Sequence, residues 1–141
     1  MPHAGSDRGD VIEDDEIVYR RVPRQPPFHT PEEWLSTANF SVDLRRHEMG
    51  ISVYRSRYQS AQDVLRHPAA VPGSFLVSAR VGEIRLLKDG VGQPLNLDVR
   101  PADDDGTNSR HAEIRGPTPA RLSRAARKAL RDLFARSRID G

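Results

Sequence analysis

Residues 119–138 read PARLSRAARKALRDLFARSR, and the shape of this stretch decides what the rest of the chain must be. On a period of about 3.6 residues, Leu122, Ala125, Ala126, Ala129, Leu130, Leu133 and Phe134 share one arc, while Arg124, Arg127, Lys128 and Arg131 fall opposite. The pattern predicts an amphipathic, basic helix. Thr118 is placed to accept from the free amides of the first turn, and Pro119 suits the first helical position, where its missing donor would be unpaired anyway. A lone helix of this length is marginal in water, so its apolar arc must dock on a surface supplied upstream. Its basic arc is left for solvent or an acidic partner.

Working back from that helix, the upstream segments read as short strands and helices. Arg110–Arg115 (RHAEIR) alternates, with His111, Glu113 and Arg115 on one face and Ala112 and Ile114 on the other. Leu95, Leu97 and Val99 predict a further strand, separated from RHAEIR by the loop PADDDGTNS (101–109). Residues 74–79 (SFLVSA) predict another, with Ser78 capping a helix in which Val81, Ile84 and Leu87 share a face. Ser60 and Asp63 form a capping-box signature for a helix that buries Ala61, Val64 and Leu65 and stops before Pro68. Met49–Tyr54 alternates weakly and reads as a strand, following the polar loop DLRRHEMG (43–50).

The amino-terminal third begins with an acidic stretch and then a strand, EIVYRRV (16–22), which places Tyr19 and Arg21 on one face and Val18, Arg20 and Val22 on the other. A guanidinium on each face means that the inward one needs a partner, such as Glu113, because an unpaired buried charge is expensive. Four prolines between residues 23 and 31 force an extended connection, and Thr30-Pro31-Glu32-Glu33 reads as a helix start with Trp34 and Leu35 on its buried side. Strands and short helices interleave without long βαβ units. The expected class is therefore α+β, a mostly antiparallel sheet of about five short strands with short helices and the carboxy-terminal basic helix.

The chain has 141 residues, 36% of them apolar and 30% charged, with eight aromatic side chains, which suits one domain with a largely aliphatic core. Residues 1–15 lack periodic apolar positions and are expected to be a disordered acidic tail, with a single α+β domain over 16–138. No apolar run exceeds three residues, so neither a membrane span nor a signal peptide is expected and the default location is cytoplasmic. The absence of cysteine excludes disulfides and thiolate chemistry, and the five histidines are not spaced as metal ligands. The net charge is only +2, but six acids lie in residues 1–16 and seven bases between Arg121 and Arg138. Opposite signs at the two ends allow a weak mutual attraction, screened beyond roughly 10 Å at ordinary salt.

Two surfaces carry candidate chemistry. Arg124, Arg127, Lys128 and Arg131 could meet an acidic protein or the phosphates of a nucleic acid, although no aromatic residues interleave with them for base stacking. The strand face of His111, Glu113 and Arg115 could seat an acid, a base and an anion binder, or simply be the wet side of a sheet with cross-strand charge pairs.

The order VYRRV (18–22), MGISVYRS (49–56) and RHAEIR (110–115), followed by a closing helix, resembles small bacterial toxins with an ADP-ribosyltransferase-like fold. Those open on a tyrosine-arginine strand and close with a strand bearing an acid or histidine. The resemblance implies that Arg20 or Arg21 holds the phosphates of NAD, that Ser36-Thr37 or Ser52 supports the pocket, and that Glu113 polarises the ribose. His111 stands two residues before Glu113, where the toxins carry a second acid. The chain also resembles small bacterial proteins that bring no activity with them. The expected function is a non-enzymatic cytoplasmic module that binds a protein or nucleic acid through the basic helix and needs no cofactor, with an accessory place in a bacterial conflict or defence system as one setting. An NAD-using enzyme built on Arg20, Arg21, His111 and Glu113 is the alternative.

Overall fold

The computed structural model describes residues 11–43, 49–102 and 110–140. The first ten residues of the acidic stretch, and most of the loops read at 43–50 and 101–109, lie outside them. Six strands form one sheet: β1 (Ile17–Val22), β2 (Ile51–Arg55), β3 (Phe75–Arg80), β4 (Asp98–Pro101), β5 (His111–Arg115) and β6 (Arg138–Ile139). Their order is β4-β5-β2-β1-β3-β6 and every neighbouring pair is antiparallel. Helices α1 (Ala61–Leu65), α2 (Val81–Arg85) and α3 (Arg124–Phe134) join a 3-10 turn at Thr37–Phe40. The fold is α+β, as expected. The sixth strand was not legible, because two residues have no alternation to read.

One sheet face makes the core. Val18, Val53, Val77, Ala112 and Ile114 are fully or almost fully buried there, against Phe40 from the 3-10 turn and Leu130 and Phe134 from α3. The Phe40 and Phe134 rings are 5.3 Å apart at the centroids. Each such side chain contributes about 1.5–3 kcal/mol on leaving water, so the docked face of α3, rather than its propensity, holds the helix in place.

The ends of the elements depart from the expectations for local reasons. The last helix does not run over 119–138. Ala120 is left-handed at φ 58°, Arg121 N–H closes a turn on the Thr118 carbonyl at 3.3 Å, and the cap is Ser123, which accepts from Ala126 N–H at 3.1 Å. Ser78 caps nothing: it lies inside β3 with its hydroxyl 2.8 Å from that of Ser137. Glu33 N–H donates to Thr30 Oγ1 at 3.0 Å, but Thr30 N–H donates to the Glu33 backbone carbonyl and not to its carboxylate, so the segment closes only a turn and the helical turn comes later behind Ser36. The predicted strand over 95–99 begins only at Asp98, since Asn96 is left-handed at φ 55°. The Ser60–Asp63 box is formed on both sides.

Part of the stretch read as a tail lies on the body of the molecule. Ile12 is 5% exposed within the core, and the Asp14 carbonyl accepts from Gly82 N–H at 2.8 Å.

Candidate functional site

The alternation in β1 sends its two arginines to opposite faces. Arg20 lies on the core side with Val18 and Val22, and meets carbonyls there: Nε donates to Asn39 O at 2.9 Å and Nη1 to Ser52 O at 2.7 Å. Arg21 is on the other face, where Nη1 donates to Val64 O and Nη2 to Tyr54 Oη at 2.9 and 2.8 Å, with the guanidinium 5.1 Å from the Tyr54 ring centroid. The expected partner of the inward arginine, Glu113, belongs to Arg21's face instead.

Register brings the sequence-distant candidates of that face together. Tyr54 is directly opposite both Tyr19 and His111, and Ser52 is opposite Glu113, so β1, β2 and β5 place them on one side of the sheet. The Tyr54 and His111 rings are 4.9 Å apart. Glu113 is held by its own strand neighbour: Arg115 Nε and Nη2 reach Glu113 Oε1 at 2.9 and 2.7 Å. Arg100, exposed on β4, stands opposite Glu113 on its other flank. Arg20 is thereby separated from Arg21, His111 and Glu113, which share one face.

The basic arc of α3 is less uniform than its spacing suggested. Arg124 and Lys128 are exposed, and among the described residues neither has an ion-pair partner. Arg131 is bound to Asp132 at 2.6 Å and Glu33 at 3.4 Å. Arg127 is half-buried, and its Nε has no hydrogen-bond partner among the described residues. Two of the four predicted contacts are therefore free for a partner.

A groove that the sequence reading missed runs along the same helix. It has a volume of about 710 Å³ between α2 and α3, with Leu86, Leu87, Ala125, Ala129 and Leu133 as its apolar lining. Charges of both signs rim it, Glu83, Asp89 and Asp132 against Lys88, Lys128 and Arg136. Leu86 is 78% exposed and Val91 in the following turn 83%. The available signal was Leu86-Leu87, of which only Leu87 fits the α2 face.

Among the described residues, no three His, Asp or Glu side chains gather to hold a metal ion, and no helix is long and apolar enough to cross a membrane. Comparison with protein-family models, with curated proteins and with solved structures finds no match.

Proposed function

We propose that the chain is a protein-interaction module that takes an acidic, amphipathic segment of a partner along α3. One observation carries this reading: the highly exposed Leu86 stands at an apolar groove whose α3 side presents the unpaired cation Lys128, with Arg124 exposed four residues earlier on the same helix. An exposed apolar side chain beside a concave apolar lining favours removal from water, and cations at the margin select carboxylates and set the register. Nucleic acid fits less well, because Glu83, Asp89 and Asp132 along the same groove repel phosphates.

The test compares a labelled amphipathic peptide of leucine and glutamate with single-stranded RNA and duplex DNA by fluorescence anisotropy at low salt. The peptide is expected to bind more tightly, and Leu86→Asp and Lys128→Glu each to weaken it. Tighter binding of nucleic acid, unaffected by Leu86→Asp, overturns the reading.

A second reading, an enzyme acting on NAD, rests on Arg21, Ser52 and Glu113 sharing one face with Ser52 opposite Glu113. Incubation with NAD would then yield free nicotinamide, and Glu113→Gln would stop it. No nicotinamide release from the unaltered chain removes this reading.

A further inference from the structure

Away from the groove, three rings converge at the start of β3. Phe75 is fully buried, with the His29 ring edge-on at 5.5 Å and the Trp34 ring tilted at 5.9 Å. His29 Nδ1 is 2.9 Å from the Trp34 carbonyl oxygen, which fixes the imidazole in the wall of this box. Arg138 fills it: its guanidinium carbon is 4.1 Å from the Phe75 centroid and 5.2 Å from that of Trp34. Arg24 stacks on the same Phe75 at 5.0 Å, and one Asp140 oxygen clamps both guanidinium groups, at 3.3 Å from Arg24 and 3.0 Å from Arg138.

Backbone pairing seats the same segment. Leu76 is opposite Ile139 and Val77 opposite Arg138, with Ser78 N–H donating to Ser137 O at 2.9 Å. Ser137–Asp140 thus lies on the β3 edge as a peptide lies in strand addition, where main-chain bonds give affinity and alternate side chains enter pockets.

The seat and its occupant differ in how firmly they are held. Phe75, Leu76 and Val77 are fully buried, whereas Arg138 and Asp140 side chains remain 30% and 57% exposed. β6 has one apolar side chain, the half-buried Ile139. Beyond the main-chain pairing with β3 and the Ser78–Ser137 hydroxyl contact, its side chains are held by cation–π contacts and surface ion pairs, which are weak at exposed sites. Local opening of a two-residue strand would leave the β3 edge and the aromatic box in place.

We propose that this edge and box are a docking site for an extended segment of a partner protein carrying arginine two residues before an acid, and that Ser137–Asp140 occupies the site in cis until the partner displaces it. The occupant shows the chemistry required: a guanidinium for Trp34 and Phe75, an apolar residue beside Leu76, and a carboxylate for Arg24. Tethering gives the cis segment an effective concentration in the millimolar range, so the unaltered chain resists a short competitor.

The test uses the full chain carrying Arg138→Ala and a labelled peptide of residues 135–141, ARSRIDG. Trp34 is the sole tryptophan, and its emission reports what occupies the box. The variant is expected to keep its far-ultraviolet circular dichroism, to bind ARSRIDG about tenfold more tightly than the unaltered chain, and to shift its Trp34 emission on binding. The peptide ARSAIDG is expected to do neither. Equal binding of the two peptides, or none by a folded variant, overturns the proposal. Loss of the fold on Arg138→Ala also overturns it, because the segment would then be part of the fold and not a replaceable occupant.

Discussion

The guanidinium of Arg55 donates through Nε and Nη2 to the two carboxylate oxygens of Glu16, each at 2.9 Å, although 39 residues separate them in sequence. Arg55 is fully buried at the end of β2 and the Glu16 side chain is 8% exposed. Arg55 Nη2 also reaches Val11 O at 3.2 Å, so one side chain ties the amino-terminal segment to the sheet. Removing Arg55 strands the Glu16 carboxylate in the interior, and removing Glu16 takes the bidentate carboxylate away from a fully buried guanidinium. Glu16→Leu and Arg55→Met are each expected to cost about 3–5 kcal/mol in urea denaturation, and the double substitution Glu16→Leu/Arg55→Met to recover a large part of the loss. A double variant as unstable as the sum of the singles would mean that the pair is not the unit of stabilisation.

Helix caps give a finer test, because two threonine or serine positions with the same sequence credentials differ in the structure. Ser123 Oγ accepts from Ala126 N–H, whereas Thr118 supplies only a turn carbonyl. Ser123→Ala is expected to lower stability by about 1 kcal/mol and Thr118→Ala by less than about 0.5 kcal/mol. Ser60→Ala, which opens the box with Asp63, belongs with the first. Thermal melts of the three single variants read the difference directly.

Alternation carried most of what was legible. The β-branched residues of β1, the apolar run of β3 and the Ala112/Ile114 spacing of β5 each put a core face where the sheet needs one, and the α3 arc found Leu130 and Phe134. Single residues at the ends of elements were not legible: left-handed Ala120 runs against local preference with its N–H on the Met49 carbonyl at 3.2 Å, and Asn96 is of a type that visits that region without being bound to it. Ile12 was hidden among acids, and its burial follows from two arginines far along the chain, Arg55 and Arg85, which hold the carbonyls of Val11 and Ile12. On the polar side, alternation set Tyr19 with Arg21 and His111 with Glu113 only within their own strands; that these share one sheet face comes from the register of β1, β2 and β5, and the expectation that Glu113 meets the inward arginine fails for that reason. The groove was missed because periodicity reports which residues a helix buries against its own core. It does not report a gap left between two helices.

Arg85 makes a prediction about pH. Partial burial works against its charge, but the hydrogen bonds and charges of Asp14 and Asp98 outweigh it and hold the guanidinium above its ordinary pKa. The contacts are Asp14 Oδ1 at 2.7 Å and Asp98 Oδ1 at 2.8 Å, with Ile12 O at 2.9 Å. A base whose folded pKa is raised contributes its full stability below the unfolded value and loses it only as pH climbs through the folded value. Since the ordinary value already lies far above neutrality, the contribution is flat through the neutral and mildly alkaline range. Arg85→Met is expected to cost on the order of 2 kcal/mol, by the same amount at pH 7 and pH 9. A loss that shrinks between those two pH values would assign the effect to another titrating group.

The two glycines Gly50 and Gly90 are expected to respond to alanine in opposite directions. Gly50 is buried just ahead of β2, beside β5, and a Cβ there would fall against the Ile114 carbonyl oxygen and 2.9 Å from Arg115 Cγ. The carbonyl belongs to a sheet strand and cannot turn away as a flexible side chain would, so β2 and β5 must part. Gly50→Ala is therefore expected to destabilise by about 1–3 kcal/mol, the range for forcing atoms into a packed interior. At Gly90 a methyl group would meet nothing within 4 Å, and the backbone there has no positive φ. Gly90→Ala removes freedom from the unfolded chain alone, and should raise stability by up to about 1 kcal/mol. Paired urea curves decide the matter. An unchanged midpoint for Gly50→Ala would show that the β2–β5 pairing yields without cost, and with it that the tight seam between Ser52 and Glu113 is not rigid.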